Sequence, residues 1–226
     1  MKIYLDSAKV DLIASAVGRF PIDGVTTNPT IIARDIKDGM TVLGLLERIR
    51  SLTEGKKLFV QVTSDDADGI VADAMKIVSL GGDITVKVPT TAEGMTAIMR
   101  LADKGISTAA TACYSTSQAL LAAKSGADFV APYISHIDNL SLDGAAVASE
   151  MAELFAFHGL KTEVLAASFR TVSQVERCIA GGVTAVTVTY DMLGSMIAHP
   201  GTDREMASFK ANWAAKFGES GIADLI

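Results

Sequence analysis

The stretch GGDITVKVPTT, residues 81–91, sets an ammonium group inside a run that otherwise reads as a buried strand. Ile84, Val86 and Val88 alternate with Thr85 and Lys87. At a period of two, the aliphatic set faces one side of the strand and Lys87 the other. A free lysine has a pKa of about 10.4, so roughly one in 2,500 is neutral at pH 7. Burial disfavours the charged form and lowers that pKa by about 3 or more. A neutral amine in a polar pocket attacks ketones and aldehydes. The protonated Schiff base that results withdraws electrons, so a neighbouring carbon–carbon bond breaks without a metal. The competing explanation is a structural ion pair between Lys87 and Asp6.

Such chemistry needs more groups. Asp6 is a carboxylate able to move protons. Tyr133 offers a phenol to hold or polarise a water. Gln61 can orient that water but cannot act as a base, because a carboxamide does not titrate. Thr26, Asn28, Thr111 and Ser168 carry the hydrogen-bonding groups that sugar hydroxyls require. The residue types together fit a Schiff-base (class I) aldolase.

These residues have to converge, and the elements that carry them say how. Eight strand-like runs recur along the chain, at 2–6, 24–28, 57–62, 83–88, 107–111, 128–133, 162–168 and 183–189. Helical stretches lie between them, for example Ile70, Ala74, Ile77 and Val78, and Leu120, Leu121 and Ala123. Gly18, Gly55, Gly81, Gly105, Gly126, Gly159 and Gly181 stand just before strands and read as helix C-caps. The Gly-Gly pairs at 81–82 and 181–182 precede strands, whereas a phosphate loop follows one. Eight βα units in this length predict an α/β fold, a (β/α)8 TIM barrel, as one domain over 1–226. An open doubly wound sheet is the alternative, but the first strand is not followed by its glycine-rich turn.

In a barrel of this kind the chemistry sits at the C-terminal strand ends. Those ends read Asp6, Thr26 with Asn28, Gln61, Lys87, Thr111, Tyr133, Ser168 and Thr189. Residues 202–218 predict one extra amphipathic C-terminal helix carrying Phe209, Trp213 and Phe217, which either covers the barrel or docks on a neighbouring subunit.

Composition narrows the classes. The 226 residues carry a net charge of −6, which argues against a nucleic-acid partner. No apolar run reaches membrane-spanning length, and the start MKIYLDSAKV lacks a signal peptide's apolar core. Two cysteines, Cys113 and Cys178, make no disulfide framework, and a reducing cytoplasmic setting is expected. His136, His158 and His199 are scattered without metal-ligand spacing, so no metal and no cofactor is expected.

The motifs DGVTTNP (23–29), VKVP (86–89), VAPYISHID (130–138) and LAASFR (165–170) resemble the transaldolase family. The short length and the opening YLDSAKV resemble its small bacterial branch, the fructose-6-phosphate aldolases, nearly end to end. The resemblance implies that Lys87 forms the Schiff base and Asp6 is the acid/base carboxylate. It implies that Thr26 and Asn28 bind hydroxyls, and that Gln61, Thr111 and Tyr133 surround the catalytic water. Transaldolases of the family tend to carry glutamate and phenylalanine at the positions of Gln61 and Tyr133, whereas the aldolase branch resembles this chain at both. The family commonly has a phosphate-gripping arginine where this chain has His136, which leaves Arg170 and Ser168 as anion candidates. Ala109 stands where a bulkier leucine is usual, which implies a wider pocket. The family's tail helix implies a homo-oligomer, pentamer or decamer, and the expected partner is a sugar or sugar phosphate.

Three functions follow as expectations. The first is cleavage or formation of the C3–C4 bond of a ketose, with dihydroxyacetone as the ketone fragment. The second is transfer of that three-carbon unit between sugar phosphates by the same lysine. The third is a non-catalytic sugar-phosphate sensor on the same barrel.

Overall fold

The computed structural model describes residues 1–226. Eight parallel strands close on themselves in chain order. They are β1 (Lys2–Asp6), β2 (Gly24–Thr26), β3 (Lys57–Gln61), β4 (Ile84–Pro89), β5 (Thr108–Cys113), β6 (Phe129–Pro132), β7 (Glu163–Ala166) and β8 (Ala185–Val188). Closure is made by β8 against β1, from Lys2 opposite Ala185 to Leu5 opposite Val188. The (β/α)8 barrel expected from the sequence is therefore the fold, and the doubly wound alternative is excluded.

The helices are α1 (Val10–Arg19), α2 (Pro29–Asp35), α3 (Val42–Leu52), α4 (Ala67–Val78), α5 (Ala92–Ala102), α6 (Thr116–Lys124), α7 (Ile134–Asp138), α8 (Gly144–Phe157), α9 (Val172–Ala180), α10 (Tyr190–Ile197) and α11 (Pro200–Phe217). None is long and apolar enough to cross a membrane. Two short ones, α2 and α7, are additions that the sequence reading did not separate. Asn28 caps α2 by accepting from the Ile31 N–H, with Pro29 at the first helical position. The helix α7 starts directly from Tyr133 at the end of β6. Both lie at the C-terminal end of the barrel and bring polar side chains over its mouth.

The core has two layers. Between barrel and helices lies the larger one, to which Leu58, Val60, Ile84, Val86 and Val88 belong. Inside the barrel sits a plug of Tyr4, Phe59, Ala109, Phe129, Leu165 and Ala185. Phe59 meets Tyr4 and Phe129 edge to face, with ring centroids 5.0 and 5.1 Å apart. Strands buried on both faces explain the near-continuous apolar runs of the sequence. The alternation holds on β3 and β4: the aliphatic residues point to the helices, while Phe59 and Lys87 turn inward.

Three details differ from expectation. Gly18 lies within α1 and caps nothing. At the second Gly-Gly pair the left-handed residue is Gly182 (φ 82°), while Gly181 has φ −83°. Helix α6 buries its alanines, Ala119 and Ala122, and leaves Leu121 60% exposed, because only small side chains fit its close approach to the barrel.

Glycine is required at 24 for a different reason. A Cβ there would stand 1.9 Å from the Lys57 carbonyl oxygen, on the backbone of the adjoining strand. Gly24→Ala is expected to destabilise by about 4 kcal/mol or more or to abolish soluble expression, since neither strand can retreat within a closed ring. Gly18→Ala meets nothing within 4 Å in a helix and should stabilise by roughly 0.5–1 kcal/mol. Denaturant midpoints of the pair test this packing, and a mild Gly24→Ala would refute it.

Helix α11 starts two residues before and ends one residue before the expected 202–218, and it buries none of its residues. Phe209 is 60% exposed, and the Trp213 and Phe217 rings pack on each other at 4.6 Å. The Trp213 indole N–H donates to the Ser220 carbonyl at 2.7 Å, which fastens the chain end to the helix. The helix does not cover its own barrel.

Candidate active site

A polar cavity of about 390 Å³ opens among the C-terminal strand ends. Lys87 and Asp6 lie in its wall together with Gln61, Tyr133, Thr187 and Ser168. Asn28, Pro29 and Thr30 of the α2 start, Ala167, and His136 of α7 complete it. Of the ten residues singled out in sequence, seven line this cavity: Lys87, Asp6, Gln61, Tyr133, Asn28, Ser168 and His136. A neighbouring hollow of about 400 Å³ is mainly apolar and shares only Pro29 and Gln61 with it. Its charged residues are Asp73, which is engaged by the Thr63 N–H and by the Ser64 N–H and hydroxyl, and the exposed Lys76, so the cavity with a buried amine beside a buried carboxyl group is the candidate site.

Lys87 is 5% exposed. Its Nζ donates to the Thr27 carbonyl at 2.9 Å, and no side-chain carboxylate lies within salt-bridge distance. The tight ion pair with Asp6 that competed with the chemical explanation is thus not formed. Burial lowers the Lys87 pKa below its ordinary value, and the Asp6 charge opposes part of that change. Burial likewise raises the Asp6 pKa, against the opposing pull of Lys87 and of a Thr26 hydrogen bond. Both directions run toward the uncharged forms, and the attraction between the two charges opposes each.

Asp6 is anchored from below. The Thr26 hydroxyl donates to Asp6 Oδ1 at 2.6 Å and lies 2.6 Å from the Thr187 hydroxyl. A hydroxyl has one proton, so Thr187 must be the donor to Thr26 in this chain. One carboxyl oxygen is held, and the other remains for the cavity.

The remaining expectations are corrected by position. Thr26 is fully buried and spends its donor on Asp6, so it does not line the cavity. Thr111 is also fully buried, and its hydroxyl lies 3.0 Å from Tyr133 Oη. It meets the cavity only through that phenol, whose pKa is raised by burial. Arg170 is exposed and off the cavity wall, and its main-chain N–H donates to Gln174. Ala109 packs in the barrel plug, opposite Lys87 on the neighbouring strand, and is not itself on the cavity wall. Thr189 caps α10 by accepting from the Met192 N–H. The wall position on β8 belongs to Thr187, which the sequence reading missed. The signal was present: Thr187 shares the inward parity of Ala185.

Two non-glycine residues hold left-handed backbone here, Ala112 (φ 54°) after a register shift in β5 and Ser168 (φ 62°) after β7. Such conformations are costly and persist where surrounding structure imposes them. The Ser168 carbonyl accepts from the Ser135 N–H at 3.0 Å, and the two hydroxyls lie 3.1 Å apart. The Gln61 Oε1 atom is buried without a hydrogen-bond partner, an acceptor left for a bound hydroxyl or water. The cysteines Cys113 and Cys178 are buried and unpaired, and burial pushes their thiols up to about 11 and about 12. They are not the nucleophile.

A parallel (β/α)8 barrel with an enclosed amine and a carboxyl group under a polar mouth defines a barrel suited to carbonyl chemistry. The chain belongs to the transaldolase/fructose-6-phosphate aldolase family, whose model matches residues 3–223. It is 38% identical over 213 residues to a probable transaldolase of Pelotomaculum thermopropionicum, covering 94% of this chain and 97% of the relative. It is 37% identical over 220 residues to a probable transaldolase of Brachyspira hyodysenteriae, covering 97% and 100%. A third probable transaldolase, from Methanococcus maripaludis, is 37% identical over 215 residues, covering 95% and 98%. Among solved structures, a flavocytochrome b2 mutant with pyruvate bound superposes at a TM-score of 0.60 and 14% identity, over all of this chain and 67% of that one. Another flavocytochrome b2 mutant matches at 0.58 and 14%, over 84% of this chain, which spans 56% of that structure. At this identity the likeness is one of fold alone.

Proposed function

We propose that the protein is a cofactor-free class I aldolase that cleaves or forms the C3–C4 bond of a ketose such as fructose 6-phosphate. The observation that carries the reading is the Lys87 amine, enclosed in the barrel yet open to the polar cavity, with a lowered pKa. The amine adds to the C2 carbonyl, the carbinolamine hydroxyl leaves as water with the proton of the Asp6 carboxyl, and a protonated imine forms beside the resulting carboxylate. Asp6 takes the proton of the C4 hydroxyl as the C3–C4 bond breaks. The bond's electron pair passes into an enamine, and the aldehyde departs. Asp6 returns that proton to the enamine carbon, water then adds to the imine to release dihydroxyacetone and restore the amine, and the proton set free goes back to the Asp6 carboxylate.

Tyr133 and Gln61 face the cavity and are the groups to hold that water, with Thr111 orienting the phenol. Asn28, Ser168 and Thr187 offer hydrogen bonds to the sugar hydroxyls. Tyr133→Phe should slow turnover by about 10²-fold or more, the scale of a positioned proton-handling group. A kcat within about twofold of wild type would remove the phenol from the reaction path.

The relatives' name favours a second reading, a transaldolase that passes the dihydroxyacetone unit from the same lysine to an aldose. Product analysis with fructose 6-phosphate, with and without erythrose 4-phosphate, separates the two. Free dihydroxyacetone without an acceptor supports the aldolase. Transfer with no free dihydroxyacetone supports the transaldolase and overturns the aldolase assignment. The unburied α11, with Phe209, Trp213 and Phe217, suits docking on a neighbouring copy in a homo-oligomer. Two buried, unpaired thiols suit a reducing cytoplasmic setting.

A further inference from the structure

We propose that Thr27 positions the reacting nitrogen: its main-chain carbonyl accepts from the Lys87 amine in the free protein and from the one N–H of the protonated imine during the reaction, and so aims the imine carbon into the cavity. The inference rests on the aldolase reading and concerns a residue that does not itself line the cavity.

The first ground is how the nitrogen is held. The Thr27 carbonyl, at 2.9 Å, is the one hydrogen-bond partner of Lys87 Nζ, and both residues are buried. Amine, ammonium and protonated imine all carry an N–H, so the contact depends on no particular protonation state. Imine formation leaves Nζ with three substituents in one plane: Cε, C2 and a single hydrogen. The Lys87 stem sets the first direction as it leaves β4. With the hydrogen aimed at the Thr27 carbonyl, the third direction is fixed, and C2 takes it. Lys87 is on the cavity wall and Thr27 is not, so the direction left for C2 is toward the cavity. The carbonyl oxygen also gives the buried cationic N–H the acceptor it would otherwise lack, and hydrogen bonds to charged groups are the stronger ones.

The second ground is how the carbonyl is fixed. Thr27 is fully buried, and its N–H and its hydroxyl both donate to the Phe59 carbonyl, at 3.0 and 2.9 Å. Phe59 belongs to the barrel plug, edge to face with Tyr4 and Phe129. On the other side, the Asn28 side chain is tied to the Ile31 N–H at the start of α2. The peptide between Thr27 and Asn28 is thus clamped between the plug and a helix start. Its neighbours have separate duties: Thr26 holds Asp6, and Asn28 faces the cavity. The Thr27 hydroxyl meets no ligand, and its use is the clamp.

The direct test weakens the carbonyl alone. Exchanging the peptide bond between Thr27 and Asn28 for an ester, with both side chains kept, removes the amide resonance that places charge on the oxygen. The Asn28 N–H lost in the exchange makes no main-chain hydrogen bond. The imine is formed with dihydroxyacetone isotopically labelled at C2, and its C=N stretch is recorded in ordinary and in heavy water. The shift between the two solvents reports the hydrogen bond of the imine N–H, which a merely structural role would not move. The ester protein is expected to show a smaller shift than wild type and imine formation slower by about tenfold. Equal shifts in the two proteins overturn the inference and leave the aldolase reading intact. Absence of any imine in wild type overturns the aldolase reading and the inference with it. Thr27→Val, which removes the hydroxyl clamp, gives the same readout in a chain made without chemical exchange. Its shift should also fall, with imine formation slower by about fivefold, and Thr27→Ser should restore both. An unchanged shift in Thr27→Val, or no recovery in Thr27→Ser, also refutes the positioning role.

Discussion

Lys87→Met should fold and be inactive, with turnover lower by on the order of 10⁵-fold or more, the scale seen when a covalent nucleophile is removed. The methionine side chain matches the length of the lysine stem but has no nitrogen to form an imine. No neighbouring lysine can substitute, because Lys87 is the only one on the cavity wall. Stability should move the other way or stay level. The wild-type barrel carries a titratable amine that is 5% exposed, with one hydrogen bond to Thr27 O. Replacing a buried ionisable group with an apolar one of similar volume is often neutral or stabilising. The sign also follows from linkage. The folded-state pKa of Lys87 is depressed, so the unfolded chain binds the proton more tightly. Below the folded-state value the group opposes folding, and the penalty disappears as pH rises through the ordinary lysine pKa. The variant's advantage in melting temperature should therefore be larger at neutral pH than at pH 10 and above. A large fall in stability at neutral pH would mean that Lys87 is a structural group.

Asp6→Asn should cost about 10²–10⁴-fold in C3–C4 cleavage, because the amide keeps the shape but cannot accept the C4 hydroxyl proton. The Thr26 hydroxyl still finds an acceptor at the held oxygen, so the Thr187–Thr26 chain survives. The pH profile gives a second, independent readout. Asp6 is the group whose charge raises the Lys87 pKa against desolvation. Without it, the acid limb of Schiff-base formation should move to lower pH. A rate close to wild type, or an acid limb that moves upward, would take Asp6 out of the proposed role.

The strands were legible in the sequence because burial on both faces leaves little choice of residue, and Val86 and Val88 could belong nowhere else. The inward direction of Lys87 and Gln61 followed from period-two alternation alone. What the sequence hid depends on barrel closure. Whether Thr26 faces a ligand or a neighbouring carboxylate is set by the stagger of β1 against β2, where Asp6 stands opposite Thr26. Nothing in a single chain of residue types encodes that stagger. The register shift of β5 past Ala110 likewise changes parity locally, and Thr111 ends buried behind Tyr133. At β8 the last polar residue looked like the wall residue, but the helix took Thr189 as its cap and left Thr187 to the cavity. Arg170 was misplaced because it follows β7 in a segment outside any strand, where alternation has no meaning. The short helices α2 and α7 are not legible in the sequence, since seven and five residues show no helical period.

The central claim is that the Lys87 nitrogen is the nucleophile, and its most direct test is reductive trapping. The folded protein is incubated with dihydroxyacetone and borohydride, digested, and its peptides weighed by mass spectrometry. The account predicts a stable adduct on the peptide that contains Lys87 and none on peptides carrying the surface lysines. An unmodified Lys87 peptide, or an adduct confined to other lysines, would contradict it.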